Sequence, residues 1–170
     1  MVYWQLALLL ALVLLNGFFA MSELAIVSSR RGILKQRAES GSRGAAAALK
    51  LSDEPTRFLS TVQIGITLIG IVAGAVSAAT FGAELALVLD RYAWLGGYGE
   101  AVAYTLVFIG ITFLQLVVGE LVPKRIAITH PEGIAVAVAP LLRGISTAAA
   151  PFAALLQVAT SLILRLLGIK

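Results

Sequence analysis

Three apolar stretches, each long enough to cross a lipid bilayer, constrain this chain more than any other feature. They run over residues 2–27, 58–89 and 101–122. A helix needs about 20 residues to span the hydrocarbon core. Lipid offers no hydrogen bonds to exposed backbone, so a spanning stretch must satisfy its N–H and C=O groups internally. Three such stretches without strand alternation predict an all-α membrane protein. Composition agrees: 59% of the 170 residues are apolar and only 13% are charged, whereas soluble domains are about half apolar and a quarter charged.

A fourth apolar stretch, residues 133–167, is cut by Pro140, Arg143 and Pro151. Pieces of this length suit helices lying at the membrane interface. The expected organisation is therefore a three-span core over residues 1–130 and juxtamembrane, interfacial helices over residues 131–170. In the second stretch, Gly82 and Glu84 suggest that the membrane part ends near Thr80.

Loop charge sets the expected orientation. Seven of the thirteen basic residues (Arg30, Arg31, Lys35, Arg37, Arg43, Lys50 and Arg57) lie between the first two spans, and only Arg91 lies between the second and third. Short loops rich in Lys and Arg stay in the cytoplasm. The N-terminus is thus expected outside and the C-terminus, with Lys170, in the cytoplasm, in a multi-pass plasma (inner) membrane protein. Tyr3, Trp4, Tyr92, Trp94 and Tyr98 then form an outer aromatic belt. This topology accounts for the net charge of +4 without a nucleic-acid partner. The chain has no cysteine and a single histidine, His130, so thiolate and multi-histidine metal sites are excluded within one chain. His130 itself reads as a surface or cap residue.

Glu120 lies inside the third apolar stretch. A charge at bilayer depth costs from about 3 to more than about 10 kcal/mol. Two readings stand: a cation path, or a carboxylate that reaches the surface or pairs with a nearby Lys or Arg. Helix rise puts Ser22 about 27 Å from Trp4 and Glu120 about 28 Å from Ala101, and Gln63 and Thr67 about 9 and 15 Å in from Arg57. With Glu23 and Ser28, these residues are expected at one depth in the inner half of the membrane. All are oxygen donors, which suit hard cations such as Mg²⁺, Ca²⁺ or Na⁺. Each hydroxyl can equally serve to bond one helix to another. Pro123 cannot donate to the Gly119 carbonyl four residues earlier, so that carbonyl is expected to be free. It would be half of a cation site, or part of an ordinary kink. Gly70, Gly74, Ala78 and Gly82 recur every four residues, a small-residue stripe that predicts close helix packing within the protomer or across a dimer.

Asn-Gly-Phe-Phe-Ala-Met-Ser-Glu-Leu-Ala at 16–25, Ser-Thr-Val-Gln-Ile-Gly-Ile-Thr-Leu at 60–68 and Gly-Glu-Leu-Val-Pro-Lys at 119–124 resemble the transmembrane domain of the CorC/CNNM magnesium transporter family. Ser28-Ser29-Arg30-Arg31 and the phrase beginning at Phe58 fit the same pattern. The resemblance implies a homodimer of three-span protomers with a juxtamembrane helical belt. Such a dimer binds a largely dehydrated Mg²⁺ in an inward-facing cavity and exports it, driven by Na⁺. By motif it implies Ser22, Ser28, the Gly119 carbonyl and Glu120 as ligands, with Gln63 and Thr67 nearby. Ile66 stands where some members have Asn, which removes an amide ligand. Members usually continue into CBS modules that bind ATP and a small C-terminal domain, and the sequence here stops at Lys170. A divalent-cation channel and a non-transporting scaffold are the competing readings. No HExxH motif or membrane Gly-Asp pair points to an enzyme.

Overall fold

A computed structural model describes residues 2–91 and 97–168. Tyr92, Trp94 and Lys170, for which interfacial and cytoplasmic positions were expected, lie outside the described residues. Among those described, the chain is helical and has no strand. Its helices are α1 (Val2–Ser28), α2 (Arg31–Glu39), α3 (Arg43–Asp53), α4 (Pro55–Ser77), α5 (Ala83–Leu89), α6 (Gly99–Leu116), α7 (Val122–Thr129), α8 (Pro131–Ala148) and α9 (Ala150–Leu166). Two π-helical turns, Ala78–Gly82 and Val117–Leu121, join α4 to α5 and α6 to α7 without a break.

Three continuous helical stretches are long and apolar enough to cross a membrane: Tyr3–Ser28, Pro55–Leu89 and Gly99–Thr129. The three-span, all-α architecture read from the sequence is therefore present. Helices α8 and α9 are bent by 58° at their junction and together also reach the length of a broken or re-entrant span. The second span runs through Gly82 as helix, and the register change at Ala78–Gly82 falls where the sequence suggested its membrane part ends.

The chain divides into two compact units, Met1–Met21 with Gly65–Ile126, and Ser22–Ile64 with Ala127–Lys170. The first unit has its core at Leu9, Val13 and Ala73, against which Leu12, Phe81, Ile111 and Leu114 pack. Small residues allow close approach in two places. The Phe19 ring lies on Gly65, and the Tyr104 ring lies on Gly82. The rest of the small stripe behaves differently, because a Cβ added to Gly70 or Gly74 would meet nothing within 4 Å. Ile71, Ile109 and Phe113 are exposed, as lipid-facing side chains are. Tyr3, Trp4 and Tyr98 are exposed too.

The second unit is built from shorter, more polar helices. Helix α2 stops where Gly41 takes a left-handed φ of +93°, a conformation that costs a glycine little. Gly41 N–H donates to Ala38 O and Ser42 N–H to Arg37 O, both at 3.0 Å, which is the Schellman arrangement. The Ser42 hydroxyl then caps α3 by accepting from Ala45 N–H at 3.3 Å. Helix α3 packs on α8, with Gly44 against Val136; Ala45, Ala48 and Leu51 of α3 and Ala135, Ala139 and Leu142 of α8 are buried. His130 is exposed at the N-cap of α8. In the first turn of that helix Glu132 accepts from Arg30 Nε at 3.1 Å. Its own backbone N–H, together with the Arg30 guanidinium, holds the Glu132 carboxyl below the usual carboxylate range.

Candidate functional site

The candidate site of the first unit is organised by the π turn Val117–Leu121, in which Val122 N–H donates to Val117 O, five residues back. The sequence requires some such departure. Pro123 has no N–H to give and its ring clashes with the carbonyl four residues earlier, and a π turn is one way a helix absorbs that misfit. The extra residue also changes which side chains share a face. In a regular α-helix Gln115 and Glu120 would be about 140° apart at about 100° per residue. With the π turn between them, both line one cavity of about 250 Å³.

Asn16, Ser77, Thr112, Gln115 and Glu120 are the polar residues of this cavity, and its other walls include Ile66, Gly70, Gly74, Val107, Phe108 and Ile111. The uncovered part of the glycine stripe is thus a wall of the cavity. Asn16, Gly70 and Gln115 all belong to the first unit. Asn16 is 4% exposed, and its Nδ2 donates to the Gly119 carbonyl at 3.0 Å. That corrects the expectation of a free carbonyl: Pro123 removes one helical partner, and the Asn16 amide supplies another. The bond also fixes the amide, because reversing it would set two oxygens against each other. Asn16 Oδ1 is then buried with no hydrogen-bond partner, and so is Gln115 Nε2. Unpaired buried polar atoms cost about 1–3 kcal/mol each, so both atoms call for a partner. Ser77 Oγ, by contrast, donates to Ala73 O at 2.6 Å.

Glu120 is paired. Its Oε1 accepts from Lys124 Nζ at 2.6 Å, and each side chain is about one-third exposed (34% and 31%). The pairing named as an alternative in the sequence is therefore made, one helical turn along the same strand of chain. The same carboxylate nonetheless faces the cavity, so the two readings are compatible. Any cation reaching Glu120 meets an ammonium already there.

The remaining residues expected as ligands are placed as follows. Thr67 belongs to the first unit, but it is exposed and does not line the cavity. Ser22, Ser28 and Gln63 belong to the second unit. Ser22 is fully buried, whereas Ser28 and Gln63 are exposed. Glu23, also of the second unit, is partly buried. Among the described residues no three His, Cys, Asp or Glu side chains gather as a metal cluster. Asn16, Ser77, Thr112 and Gln115 were not singled out as ligands from the sequence. Asn16 carried the clearest signal, an amide in the middle of an apolar stretch. Gln115 would have needed the π turn to be foreseen.

Comparison with known proteins adds a family. The sequence profile described as the cyclin M transmembrane N-terminal domain matches residues 7–170. The UPF0053 protein sll0260 of Synechocystis is 51% identical over 165 residues, covering 97% of this chain and 37% of the relative. The UPF0053 protein YhdP of Bacillus subtilis is 31% identical over 166 residues, covering 98% of this chain and 37% of the relative. The polyamine export protein of Haemophilus influenzae is 31% identical over 134 residues, covering 79% of this chain and 31% of the relative. The chain spans about a third of the length of these relatives.

Proposed function

The chain belongs to the cyclin M transmembrane N-terminal domain family, and on that footing we propose that it exports Mg²⁺ across the membrane with Na⁺ as the coupling ion. The observation that carries this reading is Glu120, a carboxylate in the third apolar span that lines a cavity together with Asn16. Mg²⁺ takes oxygen ligands, keeps several waters and is held through one or two carboxylates. Glu120 and the unpartnered Asn16 Oδ1 supply that chemistry, with the Thr112 hydroxyl also lining the cavity; the Gly119 carbonyl is a ligand that the family resemblance implies. Ser22, Ser28, Gln63 and Thr67 remain the further ligands that the family resemblance implies. Lys124 acts as a tethered occupant that a cation must displace, which favours a doubly charged competitor over a singly charged one.

A second reading is export of an organic polyamine. Two observations favour it: a relative bears that name, and the group resting on Glu120 is a primary alkylammonium, that of Lys124. Flux from proteoliposomes containing the purified chain separates the readings. Mg²⁺ efflux that requires an opposing Na⁺ gradient is the expected result. Mg²⁺ efflux that persists after the gradient is collapsed indicates a channel. Putrescine efflux without Mg²⁺ efflux indicates the second reading.

In the cell, the segment holding Arg30 to Arg57 faces the cytoplasm in this proposal, and the open face at Gly70 and Gly74 is the contact of a homodimer. Single cysteines in this cysteine-free chain test both. One replacing Gly97 should react with an impermeant thiol reagent in intact cells, one replacing Arg43 should not, and one replacing Gly74 should yield a disulfide-linked dimer. The reverse labelling pattern would invert the orientation, and a Gly74 variant that stays monomeric under oxidation would turn that face to lipid.

A further inference from the structure

The second unit holds its own cavity, of about 440 Å³, where the end of α3, the start of α4 and α8 come together. Five charged side chains line it: Lys50, Asp53, Glu54, Arg57 and Arg143. The acids are already engaged. Asp53 pairs with Arg31, and Glu54 Oε2 lies 3.6 Å from Arg57 Nη1. Lys50 and Arg143 have no ion pair among the described residues, so the cavity keeps two uncompensated cations. Ser146 and Thr147 complete the wall, their hydroxyls engaged with Thr61 Oγ1 at 3.5 Å and with the Arg143 carbonyl at 2.8 Å. Guanidinium and ammonium donors around one space suit a phosphate, which accepts charge-assisted hydrogen bonds on several oxygens at once.

The surroundings specify which phosphate. A shallower groove shares Arg143 and Thr147 with the cavity and continues over Pro140, Gly144 and Ala148, where its walls are largely apolar. Beyond the 58° bend, α9 leaves Phe152, Leu155, Leu156, Val158 and Leu162 uncovered. A basic pocket leading into an apolar surface, in a chain with three membrane spans, has the polarity of an amphiphile with an anionic head. Basic pockets at the cytoplasmic ends of membrane helices bind anionic lipid headgroups in this way.

We propose that this cavity binds the phosphate of an anionic phospholipid, held by Lys50 and Arg143, with its acyl chains along the apolar groove toward α9. The proposal does not depend on which cation the chain transports. Native mass spectrometry of the intact chain in neutral detergent tests it, with phosphatidylglycerol, phosphatidylcholine and inorganic phosphate as probes. Phosphatidylglycerol should be retained as a one-to-one adduct in preference to phosphatidylcholine. Lys50→Gln and Arg143→Gln should each lower its retention at least about tenfold, the scale of one lost charged hydrogen bond. Arg143→Lys, which keeps the charge, should retain more than Arg143→Gln, and Arg37→Gln on α2 should have no effect. Equal retention of the two lipids would overturn the proposal. So would an equal loss in Arg37→Gln, which would mean diffuse attraction by the whole basic segment. Competition by inorganic phosphate, with the same dependence on Lys50 and Arg143, would reassign the site to a free anion.

Discussion

Glu120→Gln is expected to weaken Mg²⁺ binding by the purified chain at least about tenfold, about 1.4 kcal/mol. The substitution keeps the shape and most of the hydrogen bonding of the side chain and removes only its charge. Lys124→Gln is expected to act in the opposite direction. Lys124 Nζ sits 2.6 Å from Glu120 Oε1, so removing it frees the carboxylate and should tighten binding severalfold. Glu23→Gln is the control, because Glu23 lies outside the cavity lined by Glu120. Calorimetric titration of the three variants reads all of this. A Glu120→Gln chain that binds like the parent, beside a Glu23→Gln chain that does not, would move the site to the other acid. Unchanged binding in both would remove the cation reading of these carboxylates. Weaker binding in Lys124→Gln would make Lys124 a structural partner and no competitor.

Gly44→Ala is expected to destabilise the second unit by about 1–3 kcal/mol, the usual cost of overpacking a tight contact. Gly44 is the second residue of α3, and a Cβ there would collide with the backbone carbonyl and the Cγ1 of Val136 on α8. A side-chain tip could move aside, but the carbonyl of a helix cannot without disturbing its ladder. Gly32→Ala is the matched comparison. Gly32 lies in α2 with nothing within 4 Å of its added Cβ, so the better helix propensity of alanine should be neutral or stabilising by up to about 1 kcal/mol. Thermal unfolding in detergent should therefore shift down for Gly44→Ala and hold or rise for Gly32→Ala. Equal melting temperatures would mean that the α3–α8 contact yields more readily than its geometry suggests.

The two predictions differ in how far the sequence alone could have led to them. Glu120 was legible at once, because a carboxylate in an apolar span is costly wherever the neighbouring helices lie. The significance of Gly44 was not. The run Gly44-Ala45-Ala46-Ala47-Ala48 is a good helix with small residues on every side, and nothing in it says which side another helix will cover. Lys124 is an intermediate case. Its four-residue spacing from Glu120 made pairing foreseeable, while its position beside a cavity was not.

What the sequence determined by itself was the class of fold. Long apolar stretches in a bilayer must close their backbone hydrogen bonds within each segment, so residues 2–27, 58–89 and 101–122 could only become helices, and the basic residues between the first two marked a polar connection. These are properties of single segments and need no knowledge of neighbours. The tertiary structure decided which side chains meet. Asn16 reaches Gly119 across 103 positions of sequence, and Gln115 joins Glu120 on one wall through a π turn whose extra residue shifts the helical phase. Hydrophobicity fixes which residues leave water, but it is nearly blind to rotation about a helix axis. That rotation turned an expected free carbonyl into a capped one and an apolar span into the wall of a cavity.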